Sequence, residues 1–196
     1  MAHYFEEQPQ AASRPSSVDL VLPDLHLRLE TDRGVFSPER IDLGTRVLLE
    51  SVPTPPQEGH LLDLGCGYGP IALTMASRAP SATVWAVDVN RRSLELTERN
   101  ARAAALDRVR PAHVDEVPED VRFAAIWSNP AIRIGKQAMH EMLTRWLTRL
   151  TPEGVAYLVV QKHLGSDSLQ RWLSDQGWQA TREASRAAYR ILKVTR

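Results

Sequence analysis

Cysteine is nearly absent from this chain: Cys66 is the single one in 196 residues. That excludes an intrachain disulfide and removes the cysteine clusters on which many structural zinc sites depend. The six histidines show no metal-ligand spacing, and His140-Glu141 opens no zinc-protease motif because position 144 is threonine. No metal is expected. Long apolar runs are lacking too; none approaches the roughly 18–20 residues that a membrane-spanning helix requires. Residues 1–17 carry Glu6, Glu7, Pro9 and Pro15 without an apolar stretch, so they read as a flexible polar tail and not as a secretory signal. Cytoplasm is the expected compartment. An excess of charge of one sign is also missing, since 24 basic residues balance 24 acidic ones. The balance hides a gradient. Residues 1–62 hold five arginines against ten acids, whereas residues 122–196 hold twelve basic residues against five acids. A nucleic-acid partner would find its basic footprint only in the C-terminal part. Solvated helix faces account for the same gradient equally well.

What is present is a globular core for one domain, expected over residues 18–196, with 43% apolar residues and five tryptophans. Leu25-His-Leu-Arg-Leu alternates as a half-buried strand, Thr31-Asp-Arg-Gly reads as a turn, and Val35-Phe36 as the second strand of an N-terminal β-hairpin. Ser37-Pro38-Glu39 has the form of a helix cap, first-turn proline and acidic first turn, predicting a helix from there to about Glu50. From His60 onward strands and helices alternate. Strands are predicted at 61–64, 83–87, 109–114, 123–127, 155–160, 178–182 and 189–194, with helices at 70–78, 91–106, 137–150 and 167–176. This order predicts a mostly parallel seven-stranded sheet with helices on both faces. Met139, Met142, Leu143, Trp146, Leu147 and Leu150 fall on one stripe of the helix at 137–150 and read as core.

The strongest chemical signal is Asp63-Leu-Gly65-Cys66-Gly67-Tyr68-Gly69, placed between a strand and a helix. Glycines there let the backbone turn sharply and approach a ligand closely, at the strand ends where open α/β sheets bind ligands. The spacing is Asp-x-Gly-x-Gly-x-Gly and not the dinucleotide Gly-x-Gly-x-x-Gly. Asp63 would repel a pyrophosphate and welcome a cationic amino-acid moiety. Asp88 ends the next strand, about 20 residues beyond the glycines, where a carboxylate can take two ribose hydroxyls. Val89 follows it, and Asp115 follows the third strand of the alternating series. Singly, these residues read as a turn, a helix cap and loop polarity; together, in order and at strand ends, they point to one cofactor site. Cys66 reads as a small spacer, with no partner base in sight.

This loop resembles motif I of the class I methyltransferases, which have a Rossmann-like α/β fold and hold S-adenosylmethionine. The resemblance implies that Asp63, Gly65, Cys66, Gly67, Gly69, Asp88 and Val89 line the cofactor, with Asp115 reading the adenine amine. Ser128-Asn129-Pro130-Ala131-Ile132 closes the fourth strand of that series and resembles the Asn-Pro-Pro-aromatic motif of enzymes that methylate planar nitrogens. An amine conjugated to a ring is a poor nucleophile. The Asn129 side-chain oxygen and the Pro130 carbonyl accepting its N–H groups would free its lone pair and aim it at a methyl donor. Taken alone, Asn-Pro merely ends a strand.

The longer string Ser128-Asn-Pro-Ala-Ile-Arg-Ile-Gly-Lys136 is similar to the Ser-Asn-Pro-Pro-Ile-Arg-x-Gly-Lys of the ribosomal RNA small-subunit methyltransferase C-like family, which methylates the exocyclic N2 of a guanine in 16S rRNA. Thr31-Asp-Arg-Gly-Val-Phe-Ser37, Asp42-Leu-Gly44-Thr45, Gln161-Lys-His-Leu-Gly165 and His3-Tyr-Phe extend the similarity to residues 3–194. It implies that Phe36, Ser37, Gly44, Thr45 and Asn129 lie beside the cofactor, that Asn129, Pro130, Ala131 and Ile132 form the catalytic turn, that Arg133 and Lys136 touch RNA phosphate, and that ribosomal RNA in small-subunit particles is the partner. Two departures stand out. The extra N-terminal domain of longer members is not seen, so a compact single-domain type is expected. Ala131 replaces the second proline, which removes a fixed φ from the catalytic turn. Ile132 matches this family and offers apolar contact where other Asn-Pro-Pro families have an aromatic to stack. Three readings remain open at this stage: a guanine-N2 rRNA methyltransferase, an N-methyltransferase of a protein glutamine, DNA adenine or small molecule, and a cofactor-binding protein whose catalysis Ala131 has weakened.

Overall fold

The computed structural model describes residues 11–130 and 135–196. An antiparallel hairpin of β1 (Ser16–Leu22) and β2 (Leu25–Thr31) comes first. It pairs Leu22 with Leu25 across Pro23-Asp24, so the hairpin partner lies upstream of Leu25 and not at Val35-Phe36. Val35 is buried, but residues 32–42 form turns instead of a strand. β1 begins at Ser16, inside the segment expected as tail, and the Ser13 hydroxyl and Arg14 amide both donate to Asp32.

The helix expected from Ser37 starts later. α1 spans Leu43–Ser51, capped by Asp42, whose carboxylate accepts the Thr45 amide at 3.0 Å. Ser37 has φ 49, outside helical space, and its hydroxyl closes a turn on the Arg40 carbonyl. The cap, not the proline, decides where the helix begins. Helix α1 ends at Ser51, with Val52 as its extended C-cap before Pro53.

The alternating region forms the predicted sheet. β3 (His60–Leu64), α2 (Pro70–Arg78), β4 (Thr83–Asp88), α3 (Arg91–Ala103), β5 (Val109–His113), β6 (Phe123–Ser128), α4 (Lys136–Leu147), β7 (Leu150–Gln161), α5 (Ser166–Asp175), β8 (Gln179–Arg186) and β9 (Tyr189–Thr195) follow in chain order. Seven strands lie in the order β5-β4-β3-β6-β7-β9-β8; β5 through β7 are parallel and β9 runs antiparallel to both neighbours. Leu150 opens β7 instead of closing the preceding helix.

Strand alternation divides the core in two. Leu61, Ala125, Trp127 and Tyr157 face a layer built from α1, α2, α3 and the hairpin. Leu62, Ile126 and Leu158 face α4 and α5 through Met139, Leu143, Trp146, Leu169 and Leu173. Truncating a fully buried leucine such as Leu48 or Leu143 to alanine costs about 2–5 kcal/mol. Strand order reverses between β3 and β6. That switch point opens a crevice at the carboxyl ends of the strands, where Asp63, Asp88 and Asn129 all lie.

Candidate active site

At the end of β3 the chain turns back over its neighbour: the Gly65 and Cys66 amides both donate to the Val87 carbonyl of β4. Gly67 sits at φ 56, where a side chain is disfavoured, and a Cβ there would meet nothing within 4 Å. The loop therefore borders open space at the crevice. It is held from behind, since Thr97 donates its hydroxyl to the Gly67 carbonyl and Asn100 its side-chain amide to Tyr68.

Asp63 is fully buried, and one carboxylate oxygen accepts the Ala72 amide of α2 at 2.8 Å. This takes the place of a side-chain cap, because Gly69 at the α2 N-cap has none to give. The other oxygen, Oδ1, is buried without a hydrogen-bond partner among the described residues. Burial drives the Asp63 carboxyl well above its ordinary value; the Ala72 amide opposes this and the nearby Asp88 adds to it.

Asp88 is half-buried and ties the loop to the next turn, accepting the Gly67 amide at 2.9 Å and the Asn90 amide at 2.9 Å. It does not cap α3; Asn90 does, accepting from Arg92 and Ser93. Burial raises the Asp88 carboxyl against those amide bonds. Val89 is half-buried between them. Cys66 is buried, and its thiol is pushed up by burial and by the Asp88 and Asp63 carboxyls, so it stays neutral and unreactive. Asp115 is exposed just beyond β5 and pairs with Arg145 of α4 at 3.1 Å.

At the end of β6, the Ser128 hydroxyl donates to the Leu64 carbonyl at 2.7 Å, fastening the turn to β3. Asn129 is half-buried, and its Nδ2 donates to Asp42 Oδ2 at 2.8 Å and to Thr45 Oγ1 at 3.1 Å. A carboxylate only accepts, so the amide must turn its NH2 toward Asp42. Its oxygen accepts nothing among the described residues. Pro130 follows and is buried. Ala131, Ile132 and Arg133 lie outside the described residues. Lys136 is exposed in the first turn of α4.

The segment 33–45 borders both ends of the crevice. Asn90 donates to the Gly34 carbonyl at 2.8 Å, and the buried Tyr68 hydroxyl to the Ser37 carbonyl at 3.3 Å. Phe36 is 37% exposed. Gly44 is buried under Tyr189, where a Cβ would fall 2.8 Å from the ring. Asp42, Tyr68 and Tyr189 carry no catalytic signature in the sequence. The clue available for Asp42 was its place three residues before Thr45, the spacing of a helix cap.

Residues 26–193 match the model of the methyltransferase small domain. The chain belongs to this family. It is 33% identical over 195 residues to the uncharacterized protein YbxB of Bacillus subtilis, covering 98% of this chain and 97% of that one. It is 30% identical over 161 residues to the ribosomal RNA small subunit methyltransferase C of Shewanella amazonensis, covering 80% of this chain but 47% of the relative. Among solved structures, the 16S rRNA N2 G1207 methyltransferase of T. thermophilus, in complex with AdoMet and guanosine, superposes with a TM-score of 0.80 at 25% identity, over 94% of this chain and 51% of that one. The chain thus spans about half the length of the named ribosomal RNA methyltransferases. The Rossmann-like fold and the family expected from the sequence are both found. Among the described residues no helix is long and apolar enough to cross a membrane, and no group of ligating side chains is suited to a metal ion.

Proposed function

We propose that this protein transfers a methyl group from S-adenosylmethionine to the exocyclic N2 of a guanine in small-subunit ribosomal RNA. The observation that carries the reading is the Asn129 amide, fixed by Asp42 and Thr45 with its oxygen left to accept, at the same strand-end crevice as the glycine loop. The residues present suit the methyl donor. Open space faces Gly65 and Gly67, and two desolvated carboxyls favour a cationic ligand bearing hydroxyls over a phosphate. Asp88 would take the ribose, while Asp63 and the loop amides would border the amino-acid end. Asp115 would read the adenine amine once released from Arg145. Phe36, Ser37, Gly44 and Thr45 would close the crevice from the N-terminal side.

S-adenosylmethionine would supply an electrophilic methyl group when bound, its S–CH3 bond breaking as the N–CH3 bond forms, and S-adenosylhomocysteine would leave as product. Asn129 Oδ1 and the Pro130 carbonyl then accept the two N–H groups of the target amine. This draws the nitrogen out of conjugation with its ring and aims its lone pair, and the carbonyl dipoles stabilise the positive charge that grows on nitrogen. The acidity of the alkylated amine lets its surplus proton pass to water, so no general base is required. Lys136, exposed beside the turn, would meet phosphate together with Arg133.

The test is incubation with radiolabelled S-adenosylmethionine and separated small subunits, large subunits, naked rRNA, DNA and protein, followed by nucleoside analysis. N2-methylguanosine arising in small-subunit RNA supports the reading. Label entering protein, DNA or another nucleoside, or no label at all, overturns it.

A further inference from the structure

We infer that Asp42 is a positioning residue for methyl transfer, setting which face of the Asn129 amide meets the target nitrogen. The inference rests on the proposed reaction but on a separate observation. Asp42 Oδ2 accepts two donors at once, the Thr45 amide at 3.0 Å and Asn129 Nδ2 at 2.8 Å. Thr45 Oγ1 accepts from the same Nδ2 at 3.1 Å. One oxygen therefore couples the cap of α1 to the turn that ends β6, 87 residues away in sequence. The coupling has a direction.

An asparagine amide has two sides that differ little in shape and are opposite in chemistry. Rotated by half a turn, Asn129 would present NH2 to the target amine and repel its N–H groups. In that orientation its oxygen would also confront the Asp42 carboxylate. Both terms oppose rotation while Asp42 is present. With alanine at position 42 only Thr45 remains, and a hydroxyl can donate as well as accept, so it selects neither orientation. Tyr189 and the Asp42 carboxylate both crowd Gly44. Tyr189 packs over Gly44, where an added Cβ would fall 2.8 Å from its ring, and that same Cβ would lie 3.0 Å from Asp42 Oδ2. The burial that raises the Tyr189 phenol is reinforced by Asp42, so this tyrosine stays neutral beside the carboxylate.

A purely structural role would make Asp42 a helix cap and nothing more. Asp42→Ala removes both roles, and Asp42→Asn keeps an acceptor oxygen for the Thr45 and Asn129 donors. The readout tells the roles apart: loss of a cap alone would lower the folded fraction without changing the Asn129 amide or the rate per folded molecule. The first readout is the side-chain amide of Asn129 in ¹H–¹⁵N spectra of the full chain, assigned by its loss in Asn129→Ala. The inference expects slowly exchanging Nδ2 protons in wild type and Asp42→Asn, and at least tenfold faster exchange in Asp42→Ala. The second is single-turnover methyl transfer at saturating S-adenosylmethionine, with cofactor affinity measured in parallel. About a 10²-fold lower rate in Asp42→Ala is expected, the scale of losing one aligned electrostatic contact, with cofactor affinity within threefold and recovery to within fivefold in Asp42→Asn. Equal exchange in all three proteins overturns the inference, as does an Asp42→Ala rate that falls only as far as its cofactor affinity or folded fraction. Should wild type methylate nothing, the proposed reaction fails while the exchange measurement still decides the role of Asp42.

Discussion

The two ends of the crevice are built on different principles. At the glycine loop the contacts that shape the site are close in sequence: Asp63 to Ala72 spans 9 residues and Gly67 to Asp88 spans 21. At the β6 turn, Asn129 is oriented by Asp42 and Thr45, 87 and 84 residues away. One end is a local motif whose geometry follows from a strand, a turn and a helix. The other exists only when α1 docks over β7 and β9, which brings its N-terminal cap to the end of β6. Mutations at the first should therefore alter what is bound, and mutations at the second should alter what is done with it.

The sharpest way to break this contrast is Asn129→Ala. We expect the transfer rate to fall about 10²–10³-fold, since one acceptor for the developing charge is lost, while cofactor affinity changes less than about twofold. Single-turnover kinetics with parallel calorimetry measures both. A matching loss of affinity would place Asn129 at the cofactor end. Next in size is Asp88→Ala, which removes charge-assisted hydrogen bonds worth roughly 1.5–3 kcal/mol and should weaken S-adenosylmethionine binding accordingly. Unchanged affinity by calorimetry would remove Asp88 from the site.

The same local motif was largely legible in the sequence. The glycines, Asp63 and Asp88 stand at strand ends whose periodicity is plain, and the sheet followed from the alternation of apolar runs. The N-terminal region was harder. Ser37-Pro38-Glu39 has every mark of a helix start, yet Asp42 is the cap, because Ser37 adopts positive φ and Tyr68 reaches its carbonyl. The hairpin was displaced for a related reason: Ser16–Leu22 alternates as well as Leu25–Thr31 does, with Val18, Leu20 and Leu22 buried, but it follows a polar stretch that reads as tail. Asp63 showed its presence and not its environment. The sequence suggested a carboxylate offered to a cation, whereas one of its oxygens already holds the first turn of α2. No pattern within a single segment announces a contact such as Asn129 with Asp42.

A smaller effect sharpens the comparison through pH. The Asp63 carboxyl titrates above its ordinary 3.8 in the folded chain, so the folded state holds this proton more tightly than the unfolded one. The stability contribution is fully present below 3.8 and is lost as pH rises toward the folded-state value. Asp32 and Asp24 are shifted the opposite way, so the expected observable is a difference. The unfolding free energy of cofactor-free wild type, minus that of Asp63→Asn, should fall as pH climbs above about 4. A difference that stays flat in urea titrations would show that Asp63 is not desolvated. Smallest is the two-residue turn joining β8 to β9, where Ala187 and Ala188 have φ 49 and 65. Alanine is strained there, and Ala187→Asn with Ala188→Gly should raise stability by about 1 kcal/mol. An unchanged or lower melting temperature would contradict the turn geometry.

Binding and orientation should be separable in this crevice, and a double-mutant cycle of Asp88→Ala and Asn129→Ala decides whether they are. Among the described residues the two share no hydrogen-bond partner. For methyl transfer at subsaturating S-adenosylmethionine, their effects on the activation free energy should add to within about 0.5 kcal/mol. A coupling beyond about 1 kcal/mol would mean that Asp88 and Asn129 act as one unit, and would contradict the division into a binding end and an orienting end.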